Sequence, residues 1–271
     1  MKRDLQKLAN EPFDLLILGG GINGLATAWD AALRGLSVAL VEKGDFGAAT
    51  SSATLKIVHG GLRYLQHLDL IRTRESVRER SALLFLAPHL VQPLPFLVPT
   101  HGLGMQSAPV MLAGLILNEI FSFDRNRNLS DAARRLPMGR VLGRRRAREL
   151  VPALAGKPMS AGVIFYDAQM LNSDRLTLSF ALSASEQGAV LANYAEAIAL
   201  LRDGDRIIGA RVRDALDGSE FDVRARMTLN MTGPWSDIVL GLLEGKAPER
   251  RVLRNIENPK LDKIADLDAR E

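Results

Sequence analysis

Residues 14–42, DLLILGGGINGLATAWDAALRGLSVALVE, change their pattern twice. Asp14 to Leu18 is a short run without alternation, the pattern of a strand buried on both faces of a parallel sheet. A glycine turn follows. From Ile22 to Arg34 the apolar residues fall at helical spacing, with Ile22, Leu25, Ala28, Trp29 and Ala32 on one side, and Gly35 supplies a C-terminal stop. Residues 36–42, LSVALVE, form a second β-rich run ending in an acid, so the stretch predicts a βαβ unit.

The turn carries a specific chemistry. Gly19, Gly21 and Gly24 fit G-x-G-x-x-G, with Ile22 and Asn23 between the last two glycines. In that motif one glycine permits the tight turn, the next lets the backbone approach a pyrophosphate, and the third lets helix and strand pack closely. Amide donors and the helix dipole then hold an anionic diphosphate. Glu42 ends the following strand, where a carboxylate is expected on ribose hydroxyls. A dinucleotide site is therefore expected, and the glycines alone leave nicotinamide and flavin both open.

Farther along, residues 70–90 read as a charged amphipathic helix that stops near Pro88. Pro93, Pro95 and Pro99 mark an extended connection or an edge strand. The arginine-rich stretch 126–154 predicts one or two short helices, residues 162–171 a strand, and residues 172–189 a helix opened by capping residues. Residues 190–200, 206–214 and 220–231 are three β-like runs separated by Asp-Gly hairpin signals, which predict an antiparallel meander. A meander returning to a strand that ends NMTGPW, residues 230–235, resembles the two-dinucleotide-binding-motif flavoproteins.

Composition narrows the chemistry further. No cysteine is present among the 271 residues, which excludes disulfides, thiolate metal sites and thiol nucleophiles. His67, His89 and His101 form no metal-ligand spacing, so no metal is expected. A formal charge of +4 favours anionic ligands or an acidic membrane surface. Arg140, Arg144, Arg145, Arg146 and Arg148 read as a solvated helix face, with anionic lipid as the other reading; no aromatic residues interleave with them to stack bases, so no nucleic acid is expected. The apolar stretch 108–121 is too short to span a bilayer and reads as a core helix, or as one lying in an interface. The start, MKRDLQKLANEPFD, lacks the apolar core of a signal peptide, so a cytoplasmic protein is expected.

The stretch 40–65, LVEKGDFGAATSSATLKIVHGGLRYL, followed in order by APHLVQPLPFLVP, YDAQMLNSDRL and NMTGPW, resembles the FAD-dependent, quinone-linked glycerol-3-phosphate dehydrogenase family. The resemblance is best from Asp14 to Pro99 and continues as scattered anchors to Trp235. It implies an α/β fold: a Rossmann-like FAD-binding domain with an antiparallel meander, in segments 13–75 and 172–245, and a partial α+β substrate domain at 76–171. The charged tail, 246–271, is expected to be poorly ordered. Family members are longer, so the chain is expected to correspond to the amino-terminal portion of such an enzyme, without the family's C-terminal segment.

The resemblance also implies roles. Gly19 to Gly24 hold the FAD diphosphate and Glu42 the adenosine ribose. Thr50, Ser51 and Ser52 bond near the diphosphate and ribityl chain, a helix cap being the other reading of those hydroxyls. Lys56, His59, Gly60 and Gly61 lie along the isoalloxazine, where glycine permits close approach. Arg63 and Tyr64 face the substrate, Arg63 bonding its phosphate. Backbone around Glu196 meets the adenine, and Thr232 and Gly233 contact the flavin. The reaction implied is oxidation of sn-glycerol 3-phosphate to dihydroxyacetone phosphate, with His59 as base or, in the other reading, as a histidine fixed against the flavin by hydrogen bonds, with quinone as electron acceptor and peripheral contact with the inner face of the cytoplasmic membrane. An oxidase using oxygen keeps the same fold, and a non-catalytic remnant is the reading from another class. ATLK, residues 53–56, stands where the family commonly has ASSK.

Overall fold

The structure is a computed structural model that describes residues 1–65 and 67–243. The expectation for residues 246–271 lies outside the described residues. In chain order the first elements are α1 (Leu5–Asn10), β1 (Phe13–Leu18), α2 (Ile22–Leu33), β2 (Val38–Val41), β3 (Ile57–Val58), α3 (Leu62–Leu65) and α4 (Leu70–Leu86). Next come β4 (Val91–Thr100), α5 (Ala108–Phe121), β5 (Arg140–Gly143), α6 (Arg144–Leu150), β6 (Ala161–Met170) and α7 (Ser173–Glu186). The last are β7 (Val190–Ala192), β8 (Ala195–Asp203), β9 (Arg206–Asp214), β10 (Glu220–Asn230) and α8 (Ser236–Leu243).

The described residues form two compact units, one from residues 1–50 and 179–243, the other from residues 51–178. The sequence reading put these divisions at 75/76 and 171/172. The first boundary comes earlier because β3 pairs with β6 and α3 packs on α4, which commits residues 51–75 to the second unit.

In the first unit β7, β2, β1 and β10 run parallel in that order. Alternation sorts their side chains between two cores. Leu15, Ile17, Val38, Leu40 and Leu191 pack with Leu25, Ala28 and Ala32 of α2 and with Ala181 and Ala184 of α7. Leu16, Leu18, Ala39, Val41, Val190 and Ala192 face the other way, against Ala195, Ala210, Val212, Val223 and Ala225 of the meander. Strand β10 serves both layers: residues 220–224 pair antiparallel with β9, and 225–230 pair parallel with β1. The run 190–200, read as one strand, is two; Tyr194 takes φ +52 between β7 and β8, a left-handed conformation that interrupts extension.

In the second unit β6 is central. It pairs along its whole length with β4, whose prolines fit an edge, and on its other side with β3 and β5. Strand β5 was not foreseen within the arginine-rich stretch. The helix α4 buries Thr73, Val77, Arg80 and Leu84, one stripe at helical spacing. The core reading of residues 108–121 is corrected: α5 buries only Leu115, while Leu112, Ile116 and Ile120 are exposed. The end of α5 is tied to α4 by polar contacts, Arg74 donating to the carbonyl of Phe121, the last residue of α5, and to Asp124 just beyond it. Arg145 and Arg146 of α6 are solvent-exposed and pair with Glu149. Among the described residues no helix is long and apolar enough to cross a membrane.

Candidate functional site

In the first unit the glycine turn is built by exclusion of side chains. Gly19 has φ +109, and a Cβ there would come within 2.6 Å of the Met231 carbonyl oxygen. A Cβ on Gly24 would overlap the Gly19 carbonyl oxygen, so the first turn of α2 packs directly on the end of β1. Gly21 caps α2 and has no side chain with which to bond its first turn, whose backbone amides form a set of donors. Such a donor set at the start of a twelve-residue helix fits a diphosphate.

Glu42 binds the turn to its surroundings. Its two carboxylate oxygens accept from Gly20 N at 2.7 Å and Gly44 N at 2.8 Å. Its carbonyl accepts from Ala195 N at 2.7 Å, which sets Glu196 one residue along β8. Met231 N donates to the Leu18 carbonyl, so the strand end before Thr232 lies beside Gly19. Thr232 itself donates to Asn230 through Oγ1 at 2.6 Å, and Gly233 has φ +57. Gly19, Gly21, Ile22, Asn23, Gly24, Glu42, Glu196, Thr232 and Gly233 thus belong to one unit, in which the turn touches Glu42 at Gly20 and residues 231–232 at Gly19. Thr50 is an exposed residue of the same unit.

The remaining candidates belong to the second unit. Ser51 and Ser52 lie in a turn, and the capping alternative fails because among the described residues the next helix begins at Leu62. Lys56 takes φ +59, sparsely populated for a residue with a side chain, and its carbonyl accepts from Met170 N at 2.7 Å. Gly60 and Gly61 do permit close approach, but the neighbour they admit is α4. A Cβ on Gly60 would overlap the Arg80 guanidinium, and one on Gly61, at φ +84, would stand 2.9 Å from Thr73 Cα. Tyr64 is exposed on α3. Arg63 is the second residue of α3, and its side chain lies outside the described residues.

Two buried residues beside His59 escaped the sequence reading. Asp167 of β6 is buried, its Oδ1 accepting from Gly60 N at 2.7 Å and Arg80 Nη1 at 2.6 Å, and its Oδ2 lying 3.3 Å from His59 Nδ1. Burial pushes the Arg80 guanidinium below its ordinary range, and the Asp167 charge opposes that shift. Both were legible in principle. Arg80 falls in phase with Thr73, Val77 and Leu84, and Asp167 interrupts the run of β6, so each forecast a buried charge in need of a partner.

Comparison with known proteins places this geometry. Residues 14–261 match the family described as DAO, FAD dependent oxidoreductase. The chain belongs to that FAD-dependent oxidoreductase family. A glycerol-3-phosphate dehydrogenase of Synechocystis is 39% identical over 243 residues, 89% of this chain and 42% of that protein. One of Mycobacterium leprae is 41% identical over 238 residues, 88% of this chain and 39% of that protein. The solved glycerol-3-phosphate dehydrogenase of Bacillus halodurans, complexed with FAD, superposes with a TM-score of 0.64 at 26% identity, over 88% of this chain and 37% of that one. This FAD-dependent oxidoreductase chain therefore spans about two fifths of the length of the relatives it matches.

Proposed function

We propose that the chain carries the FAD-binding part and some of the substrate-binding part of an enzyme that oxidises sn-glycerol 3-phosphate to dihydroxyacetone phosphate and passes the electrons to quinone. The observation that carries this reading is the 39–41% identity, across nearly nine tenths of the chain, to proteins named glycerol-3-phosphate dehydrogenase. The quinone acceptor and a peripheral membrane location rest on the resemblance of TSSATLKIVHGGLRYL, residues 50–65, to the quinone-linked family.

In this reading the turn from Gly19 to Gly24 and the start of α2 hold the diphosphate of FAD, with Glu42 presenting acceptors to the ribose and backbone near Glu196 meeting the adenine. In the first unit Thr50 would bond to the ribityl chain, and Thr232 and Gly233 would contact the ring system; in the second unit Ser51, Ser52, Lys56, His59 and Gly61 would carry the roles that the resemblance implies for them. When bound, FAD supplies the acceptor for the hydride leaving C2 of the substrate. His59 takes the C2 hydroxyl proton. Arg63 pairs with the phosphate, and Tyr64 borders the same substrate.

The test is the visible absorbance of the purified chain with and without added FAD. Flavin bands that stay with the protein through gel filtration, and bleach anaerobically on adding glycerol 3-phosphate, are the expected result. A chain that never retains FAD sinks the cofactor assignment; one that retains FAD but is not bleached sinks the substrate assignment. Reoxidation by a soluble quinone in preference to oxygen then tests the acceptor.

A further inference from the structure

The side chain of His59 is two-thirds exposed, 66%, whereas the group behind it is deeply buried, with the Asp167 side chain at 7% and Arg80 at 3%. A buried carboxylate needs donors, and Asp167 has three contacts of two kinds. Gly60 N and Arg80 Nη1 both donate to Oδ1, and Arg80 Nη1 also donates to the Tyr166 carbonyl at 3.0 Å, which ties α4 to β6. These bonds hold the carboxylate in place independently of any histidine. They leave Oδ2 turned to His59 Nδ1.

The consequence concerns hydrogen placement. A carboxylate only accepts, so the Nδ1 that faces Oδ2 carries the hydrogen, and in the neutral ring Nε2 is then the bare lone pair. Because Gly60 follows His59 directly, one carboxylate grips both the backbone amide and the ring of adjacent residues. We propose that Asp167, itself held by Arg80, is the positioning residue for His59: it fixes the ring's orientation and keeps the hydrogen on Nδ1, so that Nε2 is the atom that accepts a substrate proton. This inference rests on the reading of His59 as the base.

A structural tie between α4 and β6 would account for the Arg80–Asp167 pair alone, so the test must read something such a tie does not set. In Asp167→Asn, Gly60 N and Arg80 still require an acceptor, so the amide oxygen takes the place of Oδ1 and the amide nitrogen faces the ring. It then donates to Nδ1, and the hydrogen of the neutral imidazole moves to Nε2. Nitrogen-15 shifts of the histidine rings, with the His59 signals assigned by their loss in His59→Gln, report which nitrogen carries hydrogen, and need neither FAD nor substrate. The expected result is Nδ1–H in the unaltered chain and inversion to Nε2–H in a folded D167N. An Nε2–H tautomer in the unaltered chain, or an unchanged tautomer in folded D167N, overturns the proposal. If D167N does not fold, the unaltered chain and Arg80→Lys decide, the lysine variant being expected to retain Nδ1–H because its ammonium can still donate to Oδ1.

The base reading is judged separately by turnover. His59→Asn that oxidises glycerol 3-phosphate as fast as the unaltered chain sinks the base, and with it the catalytic meaning of the clamp, whatever the tautomer. If H59N is inactive, folded D167N is expected to lose on the order of 10⁴-fold in kcat, as a wrong tautomer costs a histidine base elsewhere; D167N with unimpaired kcat overturns the positioning role.

Discussion

Gly60 and Gly61 lack a side chain for different reasons. Gly61 sits at φ +84, which an L residue resists, whereas Gly60 is required by space, since the Arg80 guanidinium occupies the volume a Cβ would take. Gly60→Ala must therefore displace an arginine that is buried and paired with Asp167. Separating such a pair leaves a charge without compensation and costs about 3–5 kcal/mol. Denaturant unfolding of G60A should show a loss of that order. A loss below about 1 kcal/mol would mean that Arg80 has somewhere else to go. The sequence displayed the His-Gly-Gly run, but not what lay against it, because the Arg80 and Asp167 partners are 20 and more than 100 residues away.

At the scale of elements, period decided what could be read. Strand β1 and helix α2 were legible because each core contact repeats at the spacing of its element: Leu15 and Ile17 on one face, Leu16 and Leu18 on the other, Leu25, Ala28 and Ala32 along the helix. Helix α5 was legible as a helix and misread in its burial. With only Glu119 charged, its composition holds no phase from which to tell the inward face from the outward one. That yields a paired prediction by thermal or denaturant unfolding. Leu115→Ala, at 3% exposure, should cost about 2–5 kcal/mol, and Ile116→Ala, at 54%, well under 1 kcal/mol. Gly114 lies in the helix interior, and apart from its chain neighbours and the helix's own backbone no atom stands within 4 Å of the position a Cβ would take there, so Gly114→Ala should stabilise by about 0.5–1 kcal/mol. Equal losses at 115 and 116 would show that α5 is covered on both sides. The break at Tyr194 was hidden for another reason, since nothing in a β-rich run announces that a tyrosine will take a positive φ.

At the scale of the molecule, the first unit must join segments separated by the whole of residues 51–178. Its parallel sheet does this through β1 and β10, and a polar lock adds to it at the chain's start. Arg3 donates to both oxygens of Asp214 and to the carbonyls of Asn193 and Tyr194, bridging 211 residues to reach the end of β9. The guanidinium of Arg3 holds the Asp214 carboxyl below its ordinary value of 3.8, opposed by partial desolvation and aided by the Leu216 amide. The sign follows from linkage. A folded-state pKa below the unfolded one means that the unfolded chain takes up the proton first, so the contribution is fully present above 3.8 and is lost as pH falls through the lower folded value. Arg3→Ala removes the Arg3 share of that dependence, leaving the part set by the Leu216 amide, along with the two carbonyl bonds, which do not titrate. Asp14, Asp30, Asp124, Asp217 and Asp222 are depressed as well, so acid weakens both proteins, and only the difference between them isolates the lock. The melting temperature of the unaltered chain should exceed that of R3A by a constant margin from neutral pH down to about 5, and the margin should narrow below about 4. A margin that stays constant into strong acid would assign the whole effect to the carbonyl bonds and none to the ion pair.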